Sequence, residues 1–143
     1  MKTISKLTIC MAIVAIALTG CDAKDLLGGV SDAKLSPPSW AQGNWISEEA
    51  PQLVIFGITS DDVKYFGISL KIYNVSAWGT GYTLKETKNN SSEYEIKITA
   101  KVAGKEQSAG RFHFKKVDAN HIEVGVNEDG DQITDWEILA KKK

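Results

Sequence analysis

Alternation of apolar and polar residues is the feature that most limits how this chain can fold. From Tyr94 to Val102, apolar side chains alternate strictly with charged or hydroxyl side chains. Successive side chains of a β-strand point to opposite faces, so this segment predicts an antiparallel strand with one buried and one solvated face. Shorter runs with the same period surround Lys71, His113 and Glu123. No helical period appears after residue 20, and an all-β fold is therefore predicted.

Turn-forming residues divide the chain into about eight predicted strands. Asp, Asn and Gly tolerate positive φ or bond to the nearby backbone, and they separate the apolar runs, for example at 89–91 and 129–130. Such short connections favour an antiparallel meander, and a meander of this length removes its edges by closing into a small barrel. The predicted strands are 43–48, 52–59, 62–66, 68–75, 81–87, 93–102, 107–117 and 121–126, with 132–140 as a candidate ninth.

The first 21 residues predict export and attachment to lipid. Lys2 and Lys6 precede an almost wholly apolar run, Leu7 to Leu18, and small residues then lead to Cys21. These are the parts of a secretory signal peptide, and the run is too short for the roughly 20 apolar residues that span a bilayer. The pattern resembles a bacterial lipoprotein signal. The resemblance implies that residues 1–20 are removed and that the Cys21 thiol carries the lipid.

Residues 21–39 are predicted to be a flexible tether between the lipid and a β-domain at 40–143. They mix glycine, serine, proline and charges, and Pro37-Pro38 favours an extended end. As a coil they span roughly 20–25 Å, which clears the lipid headgroups. Asp22, directly after the cysteine, matches the inner-membrane retention signal of enteric bacterial lipoproteins. The expected location is therefore the periplasmic side of the cell envelope.

Charge and cysteine content exclude several classes of function. The signal holds two of the 17 basic residues and none of the 18 acidic ones, so the remaining 123 residues have a net charge of −3 with histidines neutral. Such a chain lacks the basic surface that nucleic acid requires. Cys10 leaves with the signal and Cys21 is bound to lipid, which excludes disulfides, cysteine nucleophiles and zinc–cysteine sites. The Lys141–Lys143 tail is a solvated end or a contact to anionic lipid.

The start of the first predicted strand resembles the signature of lipocalin-like proteins, which is Gly43-x-Trp45 in this chain. The resemblance implies an eight-stranded up-and-down barrel with a small-ligand cavity, closed at its base by Trp45. Lipocalins usually place an arginine from the last strand over that tryptophan. Here Arg111 lies in a middle strand, so Lys141 is the expected substitute, although an ammonium stacks less well than a guanidinium. Thr134-Asp135-Trp136 is similar to the second lipocalin motif but lies in the last strand.

The sequence contains no recognised catalytic or metal-binding pattern, so no enzyme activity and no cofactor are expected. His113 and His121 lack the spacing of metal ligands and are predicted to be surface residues. The 127–131 segment resembles a calcium loop, but its glycine comes one place early and Ile138 stands where an acid is needed. It predicts a hairpin turn instead. No serine elbow, phosphate loop or converging carboxylate pair is present.

Aromatic residues are the remaining candidates for function. Six have an inward phase on the predicted strands, where they fill the core or line a ligand cavity if the barrel is hollow. Trp78 lies among small residues in a predicted loop, and it either contacts a partner or anchors the loop on the rim. The six candidate ligand-binding residues are Trp45, Tyr65, Tyr94, Phe112, Phe114 and Trp136.

Two functions remain open from the sequence. The first is a membrane-tethered protein that binds a small apolar or amphipathic molecule inside the barrel. The alternative is a protein-binding module of the envelope with a filled barrel, such as an inhibitor, an immunity-type protein or an assembly factor. The surface of this module would carry Trp78 and the acidic turn at 128–131.

Overall fold

The fold is all-β, and nine antiparallel strands form one sheet within the described residues. The computed structural model describes residues 34–71, 82–127 and 132–143. A short 3-10 helix, Ser39–Ala41, precedes the first strand. The strands are β1 (Gly43–Ile46), β2 (Val54–Ile58), β3 (Val63–Tyr65), β4 (Ile68–Ser69), β5 (Tyr82–Asn89), β6 (Glu93–Val102), β7 (Lys105–Lys116), β8 (His121–Asn127) and β9 (Trp136–Lys141).

The strand order confirms the predicted meander but not its closure. The order is β4-β3-β2-β1-β9-β8-β7-β6-β5, so β1 pairs with β9 and joins the two ends of the domain in the middle of the sheet. The prediction of a closed eight-stranded barrel is wrong, because there are nine strands and, within the described ranges, β4 and β5 are the free edges. The strand predicted at 68–75 is only Ile68–Ser69. Leu70 and Lys71, which directly follow, are helical rather than extended, so β4 ends at Ser69 and does not reach the length of the predicted strand.

The sheet is curled tightly enough for distant strands to touch. Three strands separate β2 from β7, so a flat sheet would hold them roughly 19 Å apart. Instead the ring centroids of Phe56 on β2 and Phe114 on β7 are 5.1 Å apart. Tyr65 on β3 and Phe112 on β7 are similarly close, at 5.5 Å. The sheet is thus a half-barrel whose concave face encloses the core.

Alternation on β6 has the predicted phase. Tyr94, Ile96 and Ile98 are buried on the concave face, as is the facing pair Phe112 and Phe114 on β7. Apolar residues of all the longer strands join them in one cluster, so packing against the opposite half of the curled sheet stabilises each strand. The largest fully buried side chains are Trp45, Tyr94, Phe56, Phe114, Leu70, Ile96, Ile122, Leu139 and Val63.

The folded domain begins before the predicted boundary at residue 40. Leu35 is a member of the hydrophobic core, and Pro37 is buried. The backbone amide of Ser36 donates to the Glu86 carboxylate at 2.5 Å. The Trp40 indole Nε1–H donates to the carbonyl of Asn90 at 2.8 Å. Residues 34–39 are therefore part of the fold rather than of the tether, because they cover the end of β5 that the curled sheet leaves open.

Several predicted features lie outside the described residues. They are the signal segment 1–20 with Cys21 and Asp22, the aromatic Trp78, and the whole of the acidic turn at 128–131. Within the described ranges, no helix has the length and apolar character needed to span a membrane.

Candidate functional site

Trp45 lies on the concave face near the start of β1, where β1 pairs with the end of β9. Its side chain is fully buried and donates from Nε1 to the carbonyl of Ala41 at 2.7 Å. The Nζ of Lys141 lies over the indole, 5.5 Å from the ring centroid, which is within cation–π range. Gly43 has a φ of +138°, and a Cβ there would come within 2.5 Å of Lys141 Cε. The glycine therefore permits both the backbone conformation and the approach of the lysine.

Phe56 is the centre of the aromatic layer above Trp45. Its ring stacks on Tyr65 at 4.9 Å and meets Phe114 and Phe112 edge-on at 5.1 and 6.1 Å. Tyr94 extends the layer by stacking on Phe114 at 6.0 Å. Five of the six candidate ligand-binding residues are thus buried, and four of them touch another aromatic ring of the set. In this layer the concave face is filled by side chains of the protein itself.

Phe56 joins the two halves of the layer, although the sequence pattern does not predict this role. Its strand, β2, is a continuous apolar run rather than an alternating one, so its inward phase could not be determined from period two. The register determines it instead: Phe56 pairs with Trp45 on β1 and with Tyr65 on β3. Pairing with two inward-facing aromatics is a signal that becomes visible only when the strand pairing is known.

Trp136, the sixth candidate, is on the other face, and its predicted inward phase is wrong. Leu139 is buried on the concave face opposite Ile122, so the alternation of β9 directs Trp136 and Ile138 outward. Apolar residues at 136, 138, 139 and 140 occupy both phases of the strand, which made the sequence pattern ambiguous. The outward Trp136 lies against Gly125, where a Cβ would overlap the indole and Ile133.

Trp136 also covers His113, which is buried rather than a surface residue as predicted. His113 does point to the face opposite Phe112 and Phe114, as its place in the alternation predicted. On that face the indole of Trp136 packs edge-on over the imidazole, with 5.2 Å between the ring centroids. The Nζ of Lys115 lies 3.7 Å from the centroid of the same indole. His113 is left only 6% exposed as a result.

Two carboxylates flank the buried imidazole. His113 Nδ1 lies 3.2 Å from Glu95 Oε2, and His113 Nε2 lies 3.3 Å from Glu93 Oε2. Thr87 donates its hydroxyl to the other Glu95 oxygen at 2.6 Å. Lys88 pairs with Glu93 at 2.8 Å. The cluster is thus a buried imidazole held between two carboxylates. The Thr87 hydroxyl donates to Glu95. It does not face the imidazole, as the hydroxyl of a catalytic nucleophile would.

Burial lowers the pKa of His113, and it outweighs the opposing effect of Glu95 and Glu93. The folded protein therefore binds a proton at His113 less readily than the unfolded chain does. We expect the contribution of neutral His113 to the free energy of unfolding to be fully present above about pH 6.5. It should be lost as the pH falls toward the pKa of His113 in the folded protein. Titration of the imidazole carbon-bound protons by NMR should give a midpoint below 6.5, and a midpoint above it would contradict this assignment.

Glu86 fastens the N-terminal segment to the concave rim. Its carboxylate accepts hydrogen bonds from the Ser36 amide and hydroxyl, the latter at 3.0 Å, and from the Tyr94 hydroxyl at 2.7 Å. Burial raises the pKa of Glu86, but these hydrogen bonds outweigh it and the pKa is lowered overall. Burial and the bond to Glu86 raise the pKa of Tyr94. The clamp therefore requires an ionised Glu86 and a protonated Tyr94.

Replacing Glu86 with glutamine should weaken this clamp. Hydrogen bonds to a charged group contribute about 1.5–3 kcal/mol when well formed, so a loss of about 1–2 kcal/mol is expected for this partly exposed carboxylate. The lowered pKa means that the contribution is present above about pH 4.5 and is lost as the pH falls through the folded pKa. Urea unfolding at neutral and acid pH measures this effect, and the difference between Glu86→Gln and the parent chain should shrink in acid. A constant difference would contradict the account.

His121 lies at the start of β8 and remains partly exposed, as predicted. Its Nδ1 is 2.9 Å from the Asp118 carboxylate, and its Nε2 is 3.9 Å from Glu48. The pKa of Asp118 is lowered, first by the backbone amide of Asn120 and then by His121. Within the described ranges, no three His, Cys, Asp or Glu side chains are placed to hold a metal ion together.

Comparison with known proteins returned no relative: no family model, no curated protein and no solved structure matches this chain. The geometry of the two faces therefore has to support any functional conclusion.

Proposed function

We propose that this chain is a lipid-anchored protein of the bacterial cell envelope whose β-domain is a non-catalytic module that binds a protein partner through its surface. The aromatic layer supports this proposal most directly. Five of the six residues expected to line a ligand cavity are buried on the concave face, and Phe56 fills the space between the two halves of the sheet. Binding at the outer surface does not compete with that packing.

The anchor rests on the pattern that ends in Cys21. Lipid on that thiol would place the domain at the membrane surface, because the 13 residues 22–34 span roughly 20 Å as a coil before Leu35 enters the core. Asp22 favours the inner membrane. The proposed location is therefore the periplasmic side of the envelope.

The outer face of β8 and β9 is the best-supported contact surface. Ile138 is 58% exposed there, and Trp136 is partly buried two residues away on the same face. Around them Lys115 and Glu123 form an ion pair at 3.7 Å. An apolar centre with a large aromatic and a charged rim is the composition of protein–protein contacts. Trp78, which lies outside the described residues, remains a proposed contact from the sequence.

Photo-cross-linking in cells tests this surface. A photoreactive amino acid at position 138 should yield one discrete adduct with an envelope protein. The same amino acid at position 105, an exposed site at the far end of β7, should not yield that adduct. Equal yields from both positions, or none from position 138, would argue against the outer face as the contact surface.

The second candidate is the small apolar or amphipathic ligand predicted from the lipocalin resemblance. It is favoured by the open geometry of the sheet, in which β4 and β5 remain unpaired edges among the described residues. Native mass spectrometry of the full chain separates the two candidates.

A further inference from the structure

Hydrogen bonds gather the N-terminal segment, two turns and the C-terminus at one end of the half-barrel. Trp40 Nε1 donates to Asn90 in the β5–β6 turn, and Lys116 N donates to Ser92 in the same turn at 2.8 Å. Lys141 N donates to Asn120 in the β7–β8 turn at 2.7 Å. We call this the tether end, because the chain enters the domain here from the direction of Cys21. Turn 103–104 lies at the opposite end of β6 and β7.

Exposed lysines and one exposed aliphatic residue share the tether end. Lys116, Lys142 and Lys143 are exposed, and Val117 is 52% exposed beside Lys116. Lys142 N donates to Asn44 at 2.8 Å, which fixes the start of the C-terminal tail against β1. Exposed lysines and an exposed aliphatic side chain at one end of the domain suit a surface that is anionic outside and apolar beneath.

Several acidic side chains of this end have partners within the protein, while Asp61 and Asp118 remain exposed and charged. Asp118 accepts hydrogen bonds from His121 and from the amide of Asn120. Glu93 pairs with Lys88 at 2.8 Å. In the β2–β3 turn, Asp62 accepts from Val63 N and from the Ser69 hydroxyl. Lys116, Lys142 and Lys143 are exposed cations of the same end.

We propose that the tether end docks on the anionic phospholipid headgroups of the leaflet that holds the Cys21 anchor. The inference rests on the proposed anchoring, since residues 22–34 keep this end within roughly 20 Å of the bilayer. The opposite end lies a further 12-residue strand away, roughly 40 Å. Each lysine close to an anionic surface strengthens the contact about fivefold. Docking would turn the outer face of β8 and β9 sideways, where a partner in the periplasm can reach it.

Hydrogen exchange of the full lipidated chain in vesicles tests the docking. Vesicles of phosphatidylcholine alone are compared with vesicles that also contain phosphatidylglycerol. The expected result is a severalfold slower exchange of the amides in turn 117–120 with phosphatidylglycerol only. The triple variant K116E/K142E/K143E should lose that protection, whereas K105E at the opposite end should keep it. Protection that ignores phosphatidylglycerol, or that survives in the triple variant, would overturn the proposal.

Flotation of the same samples separates docking from anchoring. A chain that floats with both vesicle types but gains no protection is anchored and does not dock. A chain that floats only with phosphatidylglycerol docks without a lipid anchor, so anchoring fails and docking stands. A chain that floats with neither vesicle type contradicts both proposals.

Discussion

Replacing Trp45 with alanine is expected to lower the free energy of unfolding by about 3–5 kcal/mol, a large part of the stability of a domain of this size. The indole is fully buried, bonded to Ala41 and covered by Lys141, so its removal leaves a cavity at the base of the concave face and an unpaired carbonyl. Urea unfolding followed by circular dichroism measures the loss.

Two further variants make the Trp45 result interpretable. Trp45→Phe retains most of the apolar volume and should cost clearly less than alanine. Ile138→Ala, at an exposed apolar position, should change the stability by no more than about 0.5 kcal/mol. If Trp45→Ala costs less than about 1 kcal/mol, Trp45 does not close the base of the half-barrel.

The second large effect is expected at Phe56, where alanine should also cost about 3–5 kcal/mol. Phe56 contacts Tyr65, Phe112 and Phe114, and it is the residue through which β2 packs on β7. A side chain that merely lined a cavity would lose few contacts, so its truncation would cost much less. Thermal and urea unfolding of Phe56→Ala and of the surface control Val117→Ala therefore measure whether this layer is packed.

A double-mutant cycle locates that effect in the ring contact itself. Phe56→Leu and Phe114→Leu, combined, should show a coupling of about 0.5–1.5 kcal/mol, since the rings meet edge-on at 5.1 Å. Strictly additive effects would indicate that the two halves of the sheet do not depend on each other at this point.

Period-two alternation was enough to predict the fold class, the meander and the inward phase of β6 and β7. It failed where apolar residues occupy both phases, as they do on β9, and there it assigned Trp136 to the wrong face. It failed on β2 for the same reason and missed Phe56. Closure was predicted from the length of the meander, but β4 ends at Ser69 because Leu70 and Lys71 are helical. Alternation of apolar and polar residues does not show where a strand gives way to a helical turn.

In the candidate site too, some contacts could be predicted from the sequence and others could not. The Nζ of Lys141 lies 5.5 Å from the centroid of the Trp45 indole, and the expectation of a cation there came from the lipocalin resemblance alone. The burial of His113 was not predicted. It arises from Trp136, which lies 23 positions along the chain and reaches the imidazole only because β7, β8 and β9 are adjacent and Gly125 leaves room between them. Contacts across three strands leave no local signature in a sequence.

Native mass spectrometry of the full chain, released from detergent micelles and compared with its denatured mass, tests the central claim most directly. The claim is that the concave face is a packed core and that binding occurs outside it. We expect a native mass equal to the denatured mass, with no uptake of added fatty acid. A native mass larger by one small molecule that is lost on denaturation would contradict the claim and would support the small-ligand function instead.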